Sequence, residues 1–373
     1  MAQLETAREI LARLEAAGFQ TVLVGGCVRD LLLGRPVNDY DIATAALPQQ
    51  VMEQFPHCIP TGLRHGTVTV LLDGCPFEVT TFRADGDYLD GRRPERVRFV
   101  PRLNEDLSRR DFTVNAMAMD LKGRLFDLHG GQDDLAHRRV VCVGDPETRF
   151  REDALRMLRA LRFAAQLEFA IEPRTLEAIA RCAGLCEKLS AERVRDELEK
   201  TLCSPHPELA GHMMELGLLK TFGLEGAPDL SPLAQLPAER AVRWAAFCRA
   251  VPKTNLQALR LDKKTITLCH RACAAFLPAP TALEWKRMAR DHGWEVADLV
   301  AALNGKVREL AALRAENPCV SLAQLAVTGA DFPHLPGREV GRVLKALLQH
   351  VLEHPADNEK QILLRLAESE EKP

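Results

Sequence analysis

Residues 22–44 read VLVGGCVRDLLLGRPVNDYDIAT, and this stretch decides how the N-terminal part of the chain folds. Its apolar opening, Val22-Leu23-Val24, has the length and composition of a buried strand. Gly25-Gly26 break the run, and Val28 to Leu33 then read as a short amphipathic helix stopping at Gly34. A strand, a glycine turn and a helix start gather backbone N–H groups and the positive end of a helix dipole, which suits phosphate. Arg29 adds a side-chain anion clamp. After a turn at Pro36 the pattern predicts a second strand carrying Asp39-Tyr40-Asp41. Strand side chains alternate, so Asp39 and Asp41 share a face. Two adjacent carboxylates repel unless a cation lies between them, and hard oxygen ligands suit Mg²⁺ held together with nucleotide phosphates. Taken singly, a Gly-Gly turn is common and an Asp-x-Asp is more often a solvated loop edge. Their order and close spacing point to a polyphosphate cradle beside a metal pair.

Working outward, 373 residues exceed the usual size of one domain and imply roughly two to four compact units. The composition is globular, 46% hydrophobic and 27% charged, and the net charge of −3 excludes a basic nucleic-acid coat. Any RNA site must therefore come from local patches. The eleven cysteines include no C-x-x-C pair. Cys182/Cys186 and Cys269/Cys273 sit at helical spacing, and the second pair brackets His270; buried thiols of a reducing cytosol explain them better than a metal site. The N-terminus reads as an amphipathic helix over 4–17, with Leu4, Ile10, Leu11 and Leu14 as its apolar stripe, and not as a signal peptide. No apolar run approaches a membrane span, so a cytoplasmic protein is expected.

Pro48 opens another helix. His65 to Leu72 reads as a strand, Asp73-Gly74 as a hairpin turn and Pro76 to Arg83 as the partner strand. Strands and helices thus mix through the first 130 or so residues, an α/β pattern. Glu78 faces the same side of its strand as Thr80. A third carboxylate is expected near the metal pair, to receive or orient the proton of an attacking hydroxyl; a half-exposed strand Glu is the plain alternative. Residues 84–110 are polar and rich in arginine (Arg92, Arg93, Arg96, Arg98, Arg102, Arg109, Arg110), reading first as a mobile loop and then as a strand from Val97 to Val100. In Arg109-Arg110-Asp111 two cations and an acid stand ready to hold phosphate and a ribose hydroxyl, or simply form a charged turn. A short strand within 123–131 closes the sheet.

From Asp145 onward the pattern is helical, with no strand expected. Glu152 to Ala165 reads as one helix whose buried side carries Leu155, Met157, Leu158 and Leu161. Asp153 and Arg156, three apart, meet on one face, and Arg159 and Arg162 continue the row. Most such rows are salt-bridged solvent faces. The sharper reading is chemical. Cytosine and adenine each present an amino donor beside a ring-nitrogen acceptor, whereas uracil and guanine present a carbonyl beside a ring N–H. A carboxylate next to a guanidinium therefore accepts C and A and rejects U and G.

The run GGCVRDLLLGRPVNDYDIAT resembles the first motif of the class II tRNA nucleotidyltransferases, the CCA-adding enzymes and bacterial poly(A) polymerases of the polymerase-β superfamily. RRDFTVNAMA (109–118) resembles the second motif, REDALR (151–156) the amino-acid template that reads the base, and ERVRDELEKTL (192–202) the motif that buttresses the pocket. The resemblance implies an α/β nucleotidyltransferase head with a mixed sheet over 1–137, then all-α neck (138–204), body (205–278) and tail (279–373) domains. It also implies Mg²⁺ on Asp39 and Asp41, with Glu78 as the third catalytic carboxylate. Nucleotide contacts are implied from Gly25, Gly26, Arg29, Arg110, Asp111, Asp153, Arg156, Arg159 and Arg162. Arg110 would touch the incoming nucleotide, Asp111 would bear on the ribose, and Arg159 and Arg162 would reach the triphosphate. The implied activity is addition of CCA from CTP and ATP to the 3′ end of tRNA. Lys286, Arg287, Arg338, Arg342 and Lys345 are cations for gripping the tRNA backbone, or simply solvated surface charges. The long loop argues against an enzyme adding only CC. A-only addition, poly(A) synthesis and, from another class, a silent RNA-binding protein remain as alternatives. No H…HD…D series of a phosphohydrolase is present.

Overall fold

The Val22-Leu23-Val24 run forms β1 (Thr21–Val24), every residue of which is buried, as in a strand covered on both faces. The structure is a computed structural model that describes residues 2–85, 97–252 and 254–370. It divides into two compact units, Met1–Ser231 and Pro232–Pro373. Along the first unit follow β2 (Ile42–Thr44), β3 (Cys58–Gly62), β4 (Thr67–Leu72), β5 (Cys75–Thr81), the pair β6 (Arg83–Asp85) and β7 (Val97–Phe99), then β8 (Met117–Met119) and β9 (Leu125–Asp127). Among the described residues a seven-stranded sheet runs in the order β3-β4-β5-β2-β1-β8-β9. β2 and β5 are parallel and the other neighbours antiparallel, so the sheet is mixed. Left-handed backbone at Asp73 (φ 50°) and Gly74 (φ 73°) closes the predicted β4–β5 hairpin.

Helices α1 (Ala2–Ala16), α2 (Gly26–Leu32), α3 (Pro48–Gln54), α4 (Leu103–Ser108) and α5 (Gly131–Ala136) complete the head. α1 lies on β1 and β2 with Ile10, Leu11 and Leu14 fully buried. Leu103 and Leu107 of α4 pack with Val22, Val24, Phe82 and Val100. Each such burial contributes about 1.5–3 kcal/mol.

Two expectations for the head need correction. Asp39 and Asp41 precede β2 instead of lying within it; the ladder nonetheless reaches Asp41, whose carbonyl accepts the Val24 N–H at 3.0 Å. β3 went unpredicted because its mostly exposed CIPTG segment has no apolar alternation, and Pro60 is tolerated because β3 is the sheet edge. The arginine-rich loop, 86–96, lies outside the described residues.

A short parallel pair, β10 (Arg139–Val140) and β11 (Ala170–Ile171), corrects the expectation of no strand after Asp145. The predicted helix 152–165 is two helices, α6 (Pro146–Glu152) and α7 (Leu155–Leu167), broken at Asp153 with extended backbone (φ −145°, ψ 104°). α8 (Pro173–Cys182) packs on α6, while α9 (Ala191–Leu202) and α10 (Leu209–Glu215) pack on α7, and left-handed Gly217 (φ 76°) follows the end of α10.

The second unit is helical among its described residues: α11 (Arg240–Ala250), α12 (Lys263–Ala274), α13 (Ala282–His292), α14 (Trp294–Leu303), α15 (Val307–Ala315), α16 (Gly337–Glu353) and α17 (Lys360–Glu370). Gly293 (φ 80°) separates α13 from α14, and Gly305 (φ 68°) separates α14 from α15. Of the basic residues singled out there, Arg287 is paired with Glu353. No helix among the described residues is long and apolar enough to cross a membrane.

Candidate active site

A pocket of about 490 Å³ opens in the first unit, between the glycine corner, the turn after α4 and the start of α7. Seven arginines (Arg29, Arg83, Arg109, Arg110, Arg156, Arg159, Arg193) line it against three aspartates (Asp41, Asp111, Asp153), a field that favours a polyanion. Gly25 bends the chain out of β1 with φ 75° and ψ −134°, and no side chain caps α2, which starts at Gly26. A Cβ at Gly25 would lie 2.9 Å from Arg110 Nη1 and 3.9 Å from Asp41 Oδ2, so glycine lets the backbone approach both charges. The Gly25 N–H donates to the Met117 carbonyl at 3.2 Å. The N–H groups left for a ligand are therefore those of the first helical turn.

Arg29 is buried, and its Nε and Nη2 donate to both oxygens of Asp30 (2.9 Å each), while Nη1 donates to Asn115 Oδ1 at 2.6 Å. Arg110 Nη2 donates to Asp106 Oδ2 at 3.1 Å, and the buried Arg110 Nε has no partner among the described residues. Asp106, 1% exposed, also accepts from Arg109 Nε and Nη2 at 3.0 and 2.8 Å. Burial pushes the Asp106 carboxyl up, but the two guanidinium charges and their hydrogen bonds bring it below its ordinary value. Asp111 accepts the Phe112 N–H (2.8 Å) and Asn115 Nδ2 (3.2 Å) on one oxygen and Arg159 Nε (2.7 Å) on the other. Burial opposes its ionisation, yet the Arg159 charge and these donors hold it down to about 2.

The base-reading pair lines the pocket, but its two members bond elsewhere. Asp153 Oδ1 accepts the Leu155 N–H at 3.1 Å, fixing the break between α6 and α7, and Oδ2 accepts Arg193 Nη2 at 2.7 Å. Arg156 donates to Glu152 Oε2 (2.6 Å) and to the carbonyls of Arg149 (3.2 Å) and Arg109 (3.0 Å). Arg162 does not line the pocket: its guanidinium pairs with Glu197 of α9 and with Gln166.

Asp41 opens to solvent at the pocket edge. The protein around it raises its carboxyl above the ordinary value; Arg110 pulls the other way, and Glu78 and Asp39 add to the rise. The β2–β5 register (Ile42↔Val79) continues to place Asp41 beside Glu78, so three acids gather at this edge.

Residues 21–141 match the family model of the poly A polymerase head domain, and residues 168–230 that of a "probable RNA and SrmB- binding site of polymerase A". The CCA-adding enzyme of Geobacillus kaustophilus is 40% identical over 96% of this chain and 95% of its own length. The chain belongs to the CCA-adding enzyme family. The CCA-adding enzyme of Limosilactobacillus fermentum, at 40% identity over 98% of this chain and 97% of its own, agrees. The crystal structure of the Bacillus stearothermophilus CCA-adding enzyme in complex with CTP superposes with a TM-score of 0.86 at 37% identity, covering 99% of this chain and 98% of that one. The family is one of tRNA nucleotidyltransferases, which use a divalent metal.

The residues of this CCA-adding family member fit such an ion. No group of three His, Cys, Asp or Glu among the described residues forms a closed metal cage. An ion shared with nucleotide phosphates needs none, because one or two carboxylates suffice, and Asp39 and Asp41 lie in mutual electrostatic reach without an ion-pair partner among the described residues. The cysteines are free, and burial pushes Cys186 and Cys269 up to about 12, far from the thiolate a metal takes.

Sequence reasoning passed over Asp106, Asn115, Glu152 and Arg193. The Asp106-x-x-Arg109-Arg110 spacing was a readable i, i+3, i+4 signal. Arg193 sat inside a motif already singled out, but nothing local ties it to Asp153.

Proposed function

We propose that the chain adds cytidylate and adenylate from CTP and ATP to the 3′ end of tRNA, completing CCA and releasing pyrophosphate. The observation that carries this reading is one arginine-walled pocket lined by Asp153, Arg156 and Asp41 together, in a chain of this family. Asp39 and Asp41 hold Mg²⁺, and Glu78, beside Asp41, takes or orients the proton of the acceptor 3′-hydroxyl. When bound, the ion neutralises charge on the α-phosphate and eases ionisation of that hydroxyl.

The helical turn after Gly25-Gly26 offers its N–H groups to the phosphates. Arg29, with two N–H groups beyond its present bonds, and Arg110, with its orphan Nε, hold the triphosphate together with Arg159. Both oxygens of Asp111 are taken up by its three hydrogen bonds and by Arg159 Nη2 at 2.6 Å, so its part is to aim Arg159 and not to bind ribose directly. Arg162 clamps α7 to α9 behind the pocket. Asp153 accepts the amino group of C or A and Arg156 donates to the ring nitrogen. A wrong base sets a carbonyl against the Asp153 carboxylate and a ring N–H against the Arg156 guanidinium, at a cost on the order of a few kcal/mol. The head, neck, body and tail divide at 137, 204 and 278, and the tail supplies cations for the tRNA backbone. The eleven free thiols suit the reducing cytoplasm.

The test is incubation of purified protein and Mg²⁺ with tRNA truncated by three nucleotides, followed by sequencing of the ends. CTP alone should give CC, and CTP with ATP should give CCA. Runs of A from ATP alone would make it a poly(A) polymerase, and no incorporation would leave only a binding protein.

A further inference from the structure

Phe163 of α7 lies 6% exposed in the pocket wall. The guanidinium carbons of Arg29, Arg159 and Arg162 stand 5.3, 5.2 and 3.8 Å from the centroid of its ring. Phe112 meets the same ring edge to face, with centroids 5.8 Å apart and planes at 78°. Three cations from two helices around one neutral ring are more than packing requires. We propose that Phe163 is a positioning residue for the nucleotide triphosphate, orienting Arg29 and Arg159 through the negative face of its ring. This inference rests on the triphosphate being bound in this pocket.

The physical reason lies in charge. Arg29, Arg159 and Arg162 are each also oriented by an acid: Asp30, Asp111 and Glu197. An acid that aims a guanidinium also cancels its field, which weakens the hold on phosphate. A ring attracts the cation by its quadrupole and adds no net charge, so it adds orientation without cancelling any more of the positive field. Arg162, the nearest of the three, is tied to α9 and does not line the pocket; Arg29 and Arg159 are the two that do.

The full-length protein is prepared with phenylalanine, 4-fluoro-, 3,5-difluoro- and 3,4,5-trifluorophenylalanine at 163, a series that drains the ring quadrupole with little change of shape. Phe163→Leu and Phe163→Tyr accompany it. Two readouts are taken: KM and kcat for CTP and ATP in CCA addition, and the Kd of tripolyphosphate by calorimetry. The expected result is a stepwise rise in both KM values and in the tripolyphosphate Kd, reaching roughly tenfold for the trifluoro ring. kcat and Tm should change little, and Tyr should restore what Leu loses. KM and Kd flat along the fluorine series, with only Leu lowering Tm and activity together, would reduce Phe163 to core packing and overturn the proposal. If the wild-type protein incorporates neither nucleotide, the tRNA reading fails by itself, and the tripolyphosphate series still decides the role of the ring.

Discussion

Replacing Asp111 by Asn removes one charge and little volume, and the structure sets the size of the effect. In the folded protein the Asp111 carboxyl is held at about 2 against an ordinary 3.8. At ~1.4 kcal/mol per pKa unit, burial opposing and Arg159, Asn115 and the Phe112 N–H outweighing it, the folded protein favours the ionised form by a net of about 2 kcal/mol. The folded value is the depressed one, so this contribution is full at pH well above 3.8 and disappears as pH falls toward 2. The Asn variant should therefore unfold in urea about 2 kcal/mol more easily than the wild type at pH 7. Its oxygen can still accept the Phe112 N–H, while its amide group now faces Arg159. The assay is urea unfolding of both proteins at matched pH values from 7 down to the lowest at which both still fold, so that titrations common to the two cancel. A gap near 2 kcal/mol at pH 7 that narrows below pH 4 supports the reasoning. A gap that keeps its size across that range, or is absent at pH 7, refutes it, because the loss would then owe nothing to the Asp111 charge.

Asp41→Asn should abolish Mg²⁺-dependent nucleotide incorporation while its far-UV circular dichroism stays that of the wild type; retained incorporation would remove Asp41 from the metal site. Because the protein raises the Asp41 carboxyl, its ionised form opposes folding above that pKa, so the same variant should melt no lower than wild type at pH 7 without metal. Arg193→Ala frees Asp153 from its 2.7 Å partner and should relax discrimination against UTP by roughly tenfold, the order of one lost charge-assisted hydrogen bond; an unchanged CTP-to-UTP ratio of kcat/KM speaks against it. Arg156→Ala should blur rejection of both UTP and GTP, and unaltered fidelity there would end the base-reading assignment. Gly25→Ala places a Cβ 2.9 Å from Arg110 Nη1 at φ 75°, and should cost ~1–3 kcal/mol in thermal unfolding and raise KM for both nucleotides; a wild-type melt and KM would mean that the corner has room.

The local physics of the chain was enough for much of this. A strand, a positive-φ glycine corner and a short helix follow from an apolar run interrupted by Gly25-Gly26, since turn chemistry and periodicity act over a few residues. The β4–β5 hairpin followed from Asp73-Gly74 for the same reason. Where local signals were weak the reading erred. The break at Asp153 carries no proline or glycine, and is held by the carboxylate's bonds to the Leu155 N–H and to Arg193.

What only the tertiary structure decided is the partner of each charge. Arg159 reaches Asp111 across 48 positions, Arg193 reaches Asp153 across 40, and Arg29 reaches Asn115 across 86. From spacing alone Asp153 and Arg156 formed a pair, and the family resemblance pointed Arg162 at the triphosphate. Folded, Asp153 bonds Arg193 of α9, and Glu197 of the same helix claims Arg162. Helical spacing determines which residues share a face. The acid a guanidinium meets depends on which helix packs against that face, and that is settled by the apolar surfaces that bring α7 and α9 together.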